Sequence, residues 1–111
     1  LPSRYDGWGA VVSEALMVGT PTICSDRCGS AGMVWASGQG GVFQSGNRDS
    51  LAVELQRIVL AGRLGDDARM RLAEWAWCLS AEAGASYLKR ILDYASGLSD
   101  RPASPWAGPE S

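Results

Sequence analysis

The stretch PSRYDGWGAVVSEALMVGTPTICS, Pro2 to Ser25, sets a helix and a strand back to back. From Ala10 to Val18 the apolar residues Val11, Val12, Ala15, Leu16 and Val18 recur at helical spacing, and Gly19 with Pro21 supplies a stop. TPTICS, Thr20 to Ser25, is short and rich in β-branched residues, and is bounded by Pro21 and the polar SDRCGS. That is the pattern of a buried parallel strand. A short helix followed at once by such a strand predicts an α/β layer.

The same stretch carries two acidic residues eight positions apart, Asp6 and Glu14, on either side of a Gly7-Trp8-Gly9 turn. Gly7 and Gly9 let the backbone adopt a positive φ or approach a ligand closely, and the following helix points its N-terminal amides and positive dipole end back at the turn. Such a place suits a phosphate, although an ordinary loop-to-helix junction has the same pattern. On a helical wheel Glu14 falls just outside the apolar arc, beside Val18, so its carboxylate is expected to border the core. It either reaches a ligand lying on the turn or is solvated or paired with a nearby arginine.

Further along, Gly29 to Gly41 is rich in Gly and Ser and reads as irregular, with a helical turn around Met33 to Ala36, before GGVFQ forms a second short strand. After the turn signal SGNRD, Leu51, Leu55, Ile58 and Val59 outline an amphipathic helix ending by Gly62. Another helix spans about Asp66 to Leu79 with Leu72, Trp75 and Ala76 on one side, and Ser80 caps a last helix that Gly97 ends. LSDRPASPWAGPES, Leu98 to Ser111, is rich in Pro, Ser and Gly, so residues 97–111 are expected to be a disordered tail in which Trp106 is incidental. Two short strands are fewer than a self-sufficient sheet needs. The chain is therefore expected to be a fragment that shares its core with upstream strands.

Composition narrows the chemistry. The formal net charge is −2, with no basic run to neutralise a nucleic-acid backbone, so nucleic-acid binding is not expected. The three cysteines include no CxxC pair and the chain has no histidine, so neither a zinc site nor a Ser-His-Asp or Cys-His centre can be assembled. Any proton handling falls to carboxylates, lysine, tyrosine or the substrate itself. The odd cysteine count fits a reduced, cytoplasmic protein, and no apolar run approaches the roughly 20 residues that span a bilayer.

Taken together, D-G-W-G-x-x-x-x-E followed by A-L-x-x-G-T-P-x-I-x-S-D resembles the C-terminal, donor-binding domain of retaining GT-B glycosyltransferases, closest to family four, the glycosyl transferases group 1. The hallmark of that family is an E-x7-E motif in the context P-S-x-x-E-G-F-G-x-x-x-x-E-A-x-A-x-G-x-P, which Pro2–Pro21 follows nearly position by position. Here Asp6 stands for the first glutamate and Trp8 for the phenylalanine, and Arg27-Cys28-Gly29 keeps one glycine where the family often has two.

The resemblance implies a partial Rossmann-like half-domain of a GT-B fold over residues 1–96, with the upstream strands and the N-terminal acceptor domain lying elsewhere. It implies that Asp6 is the catalytic carboxylate beside the donor sugar, orienting it and stabilising positive charge. It implies that Glu14 binds the ribose hydroxyls, and that Gly7, Trp8, Gly9, Ala10 and Val11 present backbone amides to the sugar and diphosphate. The implied substrates are a nucleotide-diphosphate sugar and a saccharide or lipid-linked acceptor, with no cofactor and no metal. Transfer would proceed with retention in bacterial polysaccharide synthesis, and the parent enzyme would be cytoplasmic and able to lie on the inner face of the cell membrane. The alternative is a non-catalytic α/β module that binds a nucleotide or a partner.

Overall fold

The computed structural model describes residues 1–107; the last four residues of the expected tail lie outside the described residues. The chain is a mixed α/β unit with the order α1 (Ala10–Met17), β1 (Ile23–Ser25), α2 (Ala31–Ala36), β2 (Gly41–Phe43), α3 (Arg48–Ala61), α4 (Asp66–Ala76) and α5 (Ala81–Ala95). β1 and β2 pair in parallel, with Ile23 opposite Gly41, Cys24 opposite Val42 and Ser25 opposite Phe43. The crossover through α2 is the connection a parallel pair requires. This matches the expected α/β class and a partial Rossmann-like half-domain.

On its other side β1 is extended by the chain start. The Leu1 ammonium donates to the Ile23 carbonyl at 2.8 Å, and the Ser25 N–H donates to the Leu1 carbonyl at 3.1 Å. Asp6 then forms an isolated parallel bridge with Cys28. The N-terminal segment thus runs alongside β1 and its loop, and it leads directly into the glycine turn.

The core lies between the sheet and the helices. Val12 and Leu16 of α1, Cys24 of β1, Cys28, Ala31, Met33, Val34, and Leu72 and Ala76 of α4 form one buried cluster, with Trp75 and Leu79 packed against it. α1 lies across α4, and Gly19 at the end of α1 lies so close to the Arg69 backbone that a Cβ there would collide with it. The expected side of α4, Leu72, Trp75 and Ala76, is therefore the one that is used.

Three expectations differ in detail. The region before β2 is more regular than its glycine content suggests, because Met33 and Val34 bury fully and hold α2 as a helix. On α3 the side turned inward is Leu51, Glu54 and Ile58, whereas Leu55 and Val59 are exposed. The helix after Asp66 tightens into a 3-10 turn at Trp77–Leu79, which turns Trp77 outward and leaves Ser80 buried, with its hydroxyl accepting from the Ala83 N–H at 3.2 Å as the cap of α5.

α5 is attached chiefly through that 3-10 turn. Ala83, Tyr87 and Asp93 are its only half-buried residues, while Leu88, Ile91 and Leu92 are exposed along its apolar arc. Among the described residues no helix is long and apolar enough to cross a membrane.

Candidate functional site

In parallel α/β sheets, ligands gather off the C-terminal ends of the strands. Here three loops meet at that end. The Asp6 N–H donates to the Arg27 carbonyl at 3.2 Å, the Gly29 N–H to the Asp6 carbonyl at 3.0 Å, and the Ser30 N–H to the Trp8 carbonyl at 2.8 Å. Asp26 ties in the third loop: its N–H donates to the Phe43 carbonyl at 2.9 Å, and its Oδ1 accepts the Ser45 N–H at 2.9 Å.

Within the turn, Asp6 Oδ1 accepts the Trp8 N–H at 3.1 Å, an Asx turn that fixes the half-buried carboxylate against its own loop. The Trp8 indole N–H donates to Ser13 Oγ at 3.1 Å, so the ring is pinned to the first turns of α1. Gly9, at φ 83°, is the residue from which α1 starts, and no side chain caps that end. A Cβ at Gly9 would also meet Leu1 Cδ2 at 2.8 Å and Ser30 Oγ at 3.0 Å, so both conformation and space require glycine here. The result is a turn anchored on the buried Gly9, with the positive end of a helix dipole behind it and with Gly7, Trp8, Ala10 and Val11 at the surface.

Glu14 is exposed, which corrects the expectation that its carboxylate borders the core. The buried side of α1 is Val12 and Leu16, and Val11 (56% exposed) and Val18 (66% exposed) flank Glu14 on an outward stripe. Val11 and Val18 fit the apolar arc by spacing but face solvent, so the buried arc is narrower than the apolar one. Asp6 and Glu14 therefore occupy different settings, one clamped in the turn and the other free on the second turn of the helix.

Sequence reasoning missed two hollows at the loop after β2. Gln44, Ser45, Gly46, Asn47, Arg48 and Asp49 line an open polar hollow, and Pro2, Arg4, Phe43 and Leu51 join Gly46–Arg48 around a neighbouring one. Gly46, at φ 78°, turns the chain there, and the Asn47 side chain accepts from the Ser50 N–H at 3.0 Å to start α3. The glycine ahead of a helix cap in SGNRD was the available signal. Trp106, expected to be incidental, is half-buried against the core, with its ring centroid 5.9 Å from that of Trp8 and tilted by 48°.

A parallel α/β half-domain with a glycine turn feeding an uncapped helix at the C-terminal edge of its sheet belongs to the broad class of folds that hold anionic ligands at that edge. Its particular family follows from comparison with known sequences. The profile described as "Glycosyl transferases group 1" matches residues 1–76. The chain belongs to that family, and it carries a glycosyltransferase domain. No curated protein and no solved structure matches the chain.

Proposed function

We propose that this domain is the donor half-site of a retaining GT-B glycosyltransferase of family four, which takes a sugar from a nucleotide-diphosphate donor. The observation that carries this reading is the clamped Asp6–Trp8 turn, which stands ahead of the uncapped N-terminus of α1 at the C-terminal edge of the sheet. The diphosphate lies over Gly7, Gly9, Ala10 and Val11, where backbone amides and the helix dipole favour negative charge. That interaction strengthens as the leaving group accumulates charge, so it contributes to the barrier and not only to binding.

Asp6 faces the donor sugar. One carboxylate oxygen is held by the Trp8 N–H, so the group is oriented before the substrate arrives, and its negative charge stabilises an oxocarbenium-like transition state. Glu14, exposed on the second turn, reaches the ribose hydroxyls. The leaving phosphate accepts the acceptor's proton on the same face, which suits a chain without histidine. No metal or cofactor takes part in this scheme.

The acceptor is a saccharide or a lipid-linked saccharide, held by an N-terminal domain of the same enzyme, and the pathway is cytoplasmic assembly of bacterial polysaccharide. A two-stranded sheet and an uncovered apolar arc on α5 support a further packing unit.

The test is turnover of UDP-, GDP- and ADP-sugars by the intact enzyme and its Asp6→Asn, Asp6→Ala and Glu14→Ala variants. Asp6→Asn keeps an oxygen to accept the Trp8 N–H but removes the charge, and it should lower kcat by about a hundredfold or more. Glu14→Ala should raise KM. Turnover that survives both changes at Asp6 and the change at Glu14 leaves a non-catalytic binding module as the better description.

A further inference from the structure

The chain does not leave the domain at the end of α5. Gly97 reverses it at φ 73°, with the Leu98 N–H donating to the Asp93 carbonyl at 2.9 Å, and Pro102, Ser104, Pro105 and Trp106 are half-buried. The segment closes with a turn in which the Ala107 N–H donates to the Ser104 carbonyl at 3.0 Å, and Trp106 meets Trp8. The two prolines restrict the freedom of the segment, so less entropy is lost when it docks.

We propose that Leu98–Ala107 is a strap across the glycine turn, and that Trp106 is a positioning residue acting through Trp8 on the Asp6 carboxylate. The chain of contact is short. The Trp106 ring abuts the Trp8 ring, whose indole N–H also donates to Ser13 Oγ. The backbone N–H of the same Trp8 holds Asp6 Oδ1. Without Trp106, the ring contact on Trp8 is lost, and the Asx turn that orients Asp6 loosens.

The strap is independent of what binds at the turn; only the consequence for a donor rests on the proposed function. A strap residue that merely covered apolar surface would lower stability throughout the domain. A positioning residue acts on the turn selectively.

The experiment measures water exchange of the Trp8 amide by NMR in the 111-residue chain, with Leu16 as an internal core reference, for the wild type, Trp106→Ala and Trp106→Phe. From the usual contribution of an aromatic pair, Trp106→Ala should speed Trp8 exchange by about 2- to 12-fold and leave Leu16 unchanged, with Trp106→Phe restoring most of the protection. Unchanged exchange at Trp8, or equal acceleration at Trp8 and Leu16, overturns the proposal. The same samples are titrated with UDP-glucose, GDP-mannose and ADP-glucose. A donor whose affinity falls by a similar factor in Trp106→Ala supports the positioning role, and equal affinity in the two chains overturns it. If the wild type takes none of the three, the donor reading fails, and the exchange rates alone decide the strap.

Discussion

At Gly29 a Cβ would run into the Gly7 carbonyl oxygen and come within 3.1 Å of Trp8 Cα, so the loop after β1 and the glycine turn touch backbone to backbone. Gly29→Ala should therefore cost about 1–3 kcal/mol in denaturant unfolding, with the Asp6–Trp8 turn disturbed first. Cys24 bears on pH. Burial, with Cys28 beside it, pushes its thiol from 9.0 up to about 11. The unfolded thiol ionises first as pH rises, so this contribution is complete below pH 9.0 and is lost between there and about pH 11. Stability measured across that window should fall less steeply in Cys24→Ala than in the wild type. The glycine turn was legible because Gly-x-Gly before a helix has a backbone cause. The exposure of Glu14 was not, since Val11 and Val18 fit an apolar arc equally well whether or not anything covers them. Trp106 was hidden by a composition typical of unpacked chain, in which one aromatic contact leaves no periodic trace.

Helix ends proved easier to read than helix faces. Ser80 follows the cap rule: its hydroxyl takes the Ala83 N–H, and Ser80→Ala should destabilise the domain by about 1 kcal/mol and reduce the helicity of α5 by circular dichroism. Caps are local, so a few residues suffice to reveal them. The inward side of α3 depends instead on what it meets. β2 is three residues long, and Glu54 approaches Gly41 closely enough that a Cβ there would collide with it. Glu54 can occupy this inward position because Arg57, paired with it at 2.6 Å, also donates to the Gly40 carbonyl. A charged pair anchored to a backbone oxygen thus replaced the Leu55 and Val59 contact that periodicity favoured.

Over the whole molecule the radius of gyration is 15.5 Å, against about 13 Å for a compact chain of this length, and α5 is attached chiefly through the 3-10 turn that precedes it. Stability should accordingly be concentrated elsewhere. Leu16→Ala, at the centre of the buried cluster, should cost about 2–5 kcal/mol. Leu92→Lys on the outward arc of α5 should change stability by no more than about 0.5 kcal/mol, as read by the same denaturant titration. The α/β class was legible because strand and helix patterns alternate. The detachment of α5 was not, because a strongly amphipathic helix looks the same whether its apolar side is covered or bare. The placement of the tryptophans also has an optical consequence. Trp35 and Trp77 are 67% and 61% exposed, Trp75 packs against the core, and Trp8 and Trp106 lie ring to ring, so the emission of the folded chain mixes solvent-facing and shielded indoles. Unfolding will expose the shielded ones, and the coupled ring pair will report it through the loss of its ultraviolet circular dichroism.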